Sequence, residues 1–159
     1  MLPEYDVLPA IVPVGRFLIR TQHLIVALSH LAVYPNGCML EVQISGKAGG
    51  GGLQMHSSDD FDRLVFAVRF GKDITAVLDG WHHIARNSGP LQLSQRGGES
   101  GESASRADST RSLWLNPLPP PQAGTLSILA PDLGPQLTAC PLDGRTITAA
   151  AEQAQPYWP

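Results

Sequence analysis

The sequence predicts an all-β protein, a single antiparallel β-sandwich of seven to nine strands with one C-terminal helix, spanning residues 1–159 as one domain. Three observations carry this reading. Apolar side chains recur at every second position, as in Leu40, Val42 and Ile44, which alternate with Glu41, Gln43 and Ser45. Turn-forming residues separate such segments, and 16 glycines and 14 prolines in 159 residues exceed ordinary usage. Apolar residues at 43% against 16% charged suffice for one core and exclude wholesale disorder.

In chain order, the strand candidates begin with a short piece at 17–20 and an apolar run over 24–34. Pro35-Asn36-Gly37 then closes a hairpin into the alternating segment from Cys38, because Asn-Gly tolerates positive φ. The period of two returns at Leu64, Phe66, Val68 and Phe70, and a second hairpin pivots on Gly71-Lys72-Asp73 into residues 74–78. Further strands are expected around Leu91 and Leu93 and at 112–115, 125–129 and 136–140, each bounded by Pro or Gly. The helix is expected from Gly144 to Gln155, capped by Asp143 and stopped by Pro156, with Ile147, Ala150, Ala151 and Ala154 on one thin stripe. Tyr157 and Trp158 would peg it down.

Two stretches break the pattern. Residues 46–60 contain four consecutive glycines at 49–52 and read as a long connection. Residues 97–110 offer only two alanines for burial and are expected to be a flexible or disordered internal loop.

The chain carries 11 basic and 14 acidic residues, a net charge of −3, which lacks the basic excess of a nucleic-acid binder. The longest aliphatic run, residues 24–28, stops at Ser29, far short of a membrane span. The expectation is a cytoplasmic protein, with no membrane or nucleic-acid partner and with Cys38 and Cys140 as small core residues in a reducing compartment.

Catalytic signatures are missing: no phosphate loop, dinucleotide fingerprint, His-Glu-x-x-His or Gly-x-Ser-x-Gly stands in the sequence. No catalytic residue, metal ligand set or cofactor is therefore assigned. The most distinctive polar cluster is Asp79-Gly80-Trp81-His82-His83, in which Asp79, His82 and His83 are the pocket candidates. In extended backbone the adjacent imidazoles point to opposite faces, so a solvated loop around a packed tryptophan is the commoner arrangement. His56, Asp59, Asp60 and Asp62 could offer oxygen ligands to a cation, although strand-entry aspartates more often cap turns. His30, within an apolar strand, reads as a hydrogen-bonded core or edge residue. The run from Trp114 through Pro119 and Pro120 to Pro121 joins an aromatic to a polyproline stretch. It reads as a stiff crossover that could also dock on a partner.

Tyr34-Pro35-Asn36-Gly37, Phe66-Ala67-Val68-Arg69-Phe70-Gly71, the run from Trp114 to Pro121 with Gly124-Thr125-Leu126, and the closing Trp158-Pro159 form a succession. It resembles an uncharacterised group of small actinobacterial proteins. The resemblance implies one β-rich domain and transfers no functional residue.

The function expected is a non-catalytic accessory or protein-interaction module, with Trp81, Trp114, Pro119 and Pro120 as contact residues and a protein partner or self-association implied. The alternatives are a small-molecule-binding or enzymatic sandwich with a pocket near Trp81, His82 and His83, and a calcium- or zinc-binding module.

Overall fold

The computed structural model describes residues 1–47, 61–79, 84–129 and 139–159. These residues form twelve strands and one helix, in antiparallel sheets of five, five and two strands. Twelve strands exceed the seven to nine expected, because two-residue pieces and polar segments pair as well as the apolar runs. Among the described residues no helix is long and apolar enough to cross a membrane.

Sheet I is built from 11-residue strands: β2 (Ala10–Arg20), β3 (Leu24–Tyr34), β4 (Gly37–Lys47), β9 (Arg106–Asn116) and β8 (Gln92–Glu102), in the order β2-β3-β4-β9-β8. Sheet II runs β11 (Ala139–Asp143), β10 (Ala123–Leu129), β5 (Val65–Phe70), β6 (Ile74–Asp79) and β7 (Ile84–Ser88). A two-stranded piece joins β1 (Val7–Leu8) to β12 (Gln155–Pro156).

Alternation sets which side of each strand is dry. In β3, Leu24, Val26 and Leu28 are buried, and in β4 so are Leu40, Val42 and Ile44. They join Leu113 and Leu115 of β9 in one core with Phe66, Val68 and Phe70 of β5 and Leu126 and Ile128 of β10. The inner faces of both large sheets thus share a single apolar interior, the principal source of stabilisation for such a layered chain. Ile147 of the helix α1 (Gly144–Ala151) enters the same interior. Asp143 caps α1, accepting the Arg145 N–H at 3.0 Å and the Thr146 hydroxyl at 3.1 Å. The helix stops at Ala151, short of the expected Gln155, because Gln155 and Pro156 pair with Leu8 and Val7. Trp158 is 75% exposed and does not peg the helix.

Both expected hairpins are present. Phe70 faces Ile74 across Gly71-Lys72-Asp73, where Arg69 donates to the Gly71 and Lys72 carbonyls at 3.2 and 3.3 Å. Tyr34 pairs with Gly37, so the first turn consists of Pro35 and Asn36 alone. Gly37 has no positive φ; glycine is needed there because a Cβ would lie 2.5 Å from the Leu115 carbonyl and 2.6 Å from the Trp114 ring.

Residues 97–110 are not a loop, contrary to the expectation of a flexible segment. They complete β8 and open β9, paired from Gly97 with Ser112 to Glu102 with Ala107. Residues 106–115 are also paired on their other side with β4, from Lys47–Arg106 to Cys38–Leu115. Backbone pairing supplied by a neighbouring apolar strand orders a segment whose own side chains bury little.

Candidate functional site

Of the expected contact residues, Trp114 and Pro119 are buried, Pro120 is half-buried and Trp81 lies outside the described residues. Trp114 is 0% exposed, which corrects its reading as a contact residue. Leu113 and Leu115 beside it face the shared core, so Trp114 projects from the opposite, outer face of sheet I. There the N-terminal segment folds over it. The indole N–H donates to the Met1 carbonyl at 2.8 Å, and the Tyr34 ring stands edge-on at 5.8 Å between centroids. Ala32, Met39 and Trp114 form a second, small core with Tyr34 against it. Burial raises the Tyr34 phenol pKa, and Tyr157, Tyr5 and Glu41 push it the same way.

The proline run is likewise not a free docking ligand. Pro119 is buried and Pro120 half-buried. The run leads into β10 and lies against the start of α1, where Gly144 N–H donates to the Gln122 carbonyl at 2.9 Å and Arg145 Nε to the Pro121 carbonyl at 3.3 Å. A Cβ on Gly144 would sit 1.9 Å from the Pro120 carbonyl oxygen, so the glycine lets the segment seat on the helix. Asn116–Pro117 is a cis peptide.

Of the pocket candidates, Asp79 ends β6 opposite Val65 and Ile84 and is half-buried. Trp81, His82 and His83 lie outside the described residues, as do His56, Asp59 and Asp60. Among the described residues no group of three or more His, Cys, Asp or Glu side chains is placed to hold a metal.

Next to Asp79 along β6, Leu78 lines a cleft of about 540 Å³ with Asp62, Gln95, Arg96, Gly97, Gly98 and Arg111. Arg111 is its organising group: Nη1 donates to Asp62 at 2.7 Å and to Gln95 at 3.2 Å, and Nε to Ser109 at 3.1 Å. Ser109 in turn shares a 3.0 Å hydrogen bond with Ser100. The Arg111 side chain is only 11% exposed while that of Asp62 is 46% exposed. The carboxylate therefore neutralises a largely desolvated guanidinium at the cleft floor. Asp62 and Arg111 are 49 positions apart, and no local pattern in the sequence connects them.

The outer face of sheet I carries a third arrangement. Pro13, His30, Glu41 and Ser112 lie in one register row across four strands. Ser112 donates to both Glu41 oxygens at 2.8 and 3.0 Å, and His30 Nδ1 is 3.0 Å from Ser29 Oγ. Serine, glutamate and histidine are thus neighbours, but the carboxylate stands between the other two. The imidazole is not placed to take the serine proton, as a nucleophilic triad requires. His30 is half-buried and hydrogen-bonded, as expected, but it stands on the outer face of β3, flanked by β2 and β4, and not in the core or at a sheet edge.

On the same outer face, toward the free edge, Ile11, Phe17 and Ile25 are 58%, 47% and 36% exposed. Their register partners fix the side: Ile11 pairs with Ala32 of the outer small core, Phe17 with Ala27, and Ile25 lies between the inward Leu24 and Val26. Arg20, opposite Ile25, stacks its guanidinium 4.5 Å from the Phe17 ring centroid. Alternation alone does not reveal this patch, since it is the wet side of strands whose other side is dry.

No family model matches the chain, and no curated protein matches it.

Proposed function

We propose that the protein is a non-catalytic protein-interaction module whose contact surface is the outer face of β2 and β3. The observation that carries this is the exposed pair Phe17 and Ile25 near one end of the sheet edge, with Arg20 laid over Phe17, while Ile11 is exposed farther along the same side. Exposed apolar groups with a charge at the rim are the composition of contact surfaces. The partner surface that fits is an apolar patch with a carboxylate placed to meet Arg20. Pro13 and the register irregularities between Pro13 and Arg16 and between Phe17 and Ile19 blunt β2 against simple edge pairing, which favours contact through the face. The architecture is read as a sandwich, supported by the one interior shared by the two five-stranded sheets. A cytoplasmic location is part of the proposal, supported by two buried cysteines that are both free thiols.

The test is purification from the native host with mass spectrometry of what is retained, beside the double variant Phe17→Asp with Ile25→Asp. A stoichiometric protein partner that the double variant loses, with unchanged far-UV circular dichroism, supports the proposal. A partner held equally by both forms rejects this surface.

A second reading, small-molecule binding, rests on the cleft beside Asp79, where Arg96, Gln95 and the side-chain-free Gly97 and Gly98 surround the Asp62–Arg111 pair. A retained small molecule that Arg96→Ala releases would favour it. The metal-binding reading is weakened at Asp62, whose carboxylate is engaged by Arg111. Unfolding unmoved by chelator or added calcium and zinc would dismiss it.

A further inference from the structure

We infer that the cleft between β6 and β8 takes a small organic monoanion, a carboxylate held by Arg96. This gives a ligand class to the small-molecule reading above and rests on it. The site lies at the opposite edge of sheet I from β2 and β3 and shares no residue with the partner surface. Its floor carries an ion pair that belongs to the protein. Arg111 pairs with the inward Val42 and alternates with the inward Leu113, so it rises from the inner face of sheet I, where a charge needs a counter-ion. Asp62 supplies that counter-ion from a turn pinned on both sides: Phe61 and Leu64 are buried, and Leu64 N–H donates to the Phe61 carbonyl at 3.1 Å. The Asp62–Arg111 pair is therefore a fixed wall of the cleft.

Arg96 is placed differently. Gln95 pairs with Leu113 and Gly97 with Ser112, so Arg96 is the extra residue of a β-bulge. A regular strand turns successive residues to opposite sides, whereas here residues 95–98 line the cleft one after another. Arg96 is exposed, and among the described residues no carboxylate pairs with it. A guanidinium on a cleft of about 540 Å³, a size common for small-molecule sites, offers the fork that holds a carboxylate bidentately. Gln95 accepts from Arg111 through Oε1 at 3.2 Å, which leaves its amide N–H as a second donor. Leu78, with Phe61 and Phe66 beneath it, supplies an apolar wall for the body of the ligand. The charges present set the valence: the Asp62 side chain is 46% exposed and repels a second negative charge, which favours a carboxylate over a phosphate dianion.

The experiment titrates the full-length, ¹⁵N-labelled protein with benzoate, with neutral benzamide and with phenyl phosphate, following the amide resonances of Gln95, Gly97 and Gly98. Saturable shifts with benzoate, weaker ones with phenyl phosphate and none with benzamide are expected. Arg96→Ala should weaken benzoate binding by about tenfold or more, the loss that follows removal of a hydrogen bond to a charged group, and Arg96→Lys should restore part of it. The Phe17→Asp, Ile25→Asp variant should bind benzoate unchanged. Benzamide binding as well as benzoate would overturn the anion assignment and leave the small-molecule reading standing. Tighter binding of phenyl phosphate, or benzoate binding that Arg96→Ala does not weaken, would also overturn the inference, and no shift with any of the three probes would remove both it and the reading it rests on.

Discussion

Cys38 sits on β4 between the two sheets, with none of its surface exposed, and burial pushes its thiol from the ordinary 9.0 up to about 12. Burial raises the Cys140 thiol too, against a smaller opposing effect of Arg16. A thiol pKa raised by folding contributes stability that is complete below the unfolded value and is lost as pH rises through the folded one. Alkaline titration should therefore destabilise the protein progressively between pH 9 and about 12, and Cys38→Ala should flatten part of that slope in denaturant melts at successive pH values. An unaltered slope would show that Cys38 is not the group responsible. Because the thiolate is the nucleophile, neither cysteine should react with a thiol reagent at pH 8 until the protein is unfolded. The sequence indicated small core cysteines on strands. It did not separate them onto different sheets, since that depends on which strands pair.

The distal half of the β8–β9 hairpin, residues 97–110, shows how part of an element can form with few apolar side chains. There Ala107 is fully buried; the rest of that half is held by backbone pairing and by polar bonds such as Ser100 to Ser109 and Arg106 to Asp108. The hydrogen bond from Arg106, then that from Ser45, draws the Asp108 carboxyl below the usual carboxylate range. A lowered folded pKa contributes stability that is present above the unfolded value and lost as pH falls through the folded one. Amide exchange at residues 100–108, measured against pH-matched Asp108→Asn, should therefore be best protected above about pH 4 and lose protection below it. The Asn variant should lose that acid dependence. Equal acid dependence in both would assign the effect elsewhere. The pair is exposed, so 1 M salt should weaken it. By contrast α1 was legible: Asp143, then a stripe ending in alanines, is a local code that pairing with distant strands changed only at Gln155.

At the scale of the whole molecule, the two chain ends meet on the outer face of sheet I, where Tyr157 N–H donates to the Asp6 carbonyl at 2.9 Å. Trp114 is the keystone of that region. Trp114→Ala should lower unfolding free energy by about 3–5 kcal/mol, the usual loss for a buried tryptophan, in urea or thermal melts. A loss below about 1 kcal/mol, the range of ordinary surface substitutions, would refute its placement in the interior.

The alternation of Leu40, Val42 and Ile44 and of Phe66, Val68 and Phe70, the two hairpin turns and the Asp143 cap are local, and the sequence by itself determined the β-rich class and most strand positions from them. A period of two says that a strand has two different faces, but not what covers the second one. The tertiary structure alone decided that Met1 would lie against Trp114 across 113 positions, that Asp62 would neutralise Arg111, and that a polar segment would be drawn into a sheet by its neighbour. Each depends on distant segments meeting in space, which residue spacing along the chain does not encode.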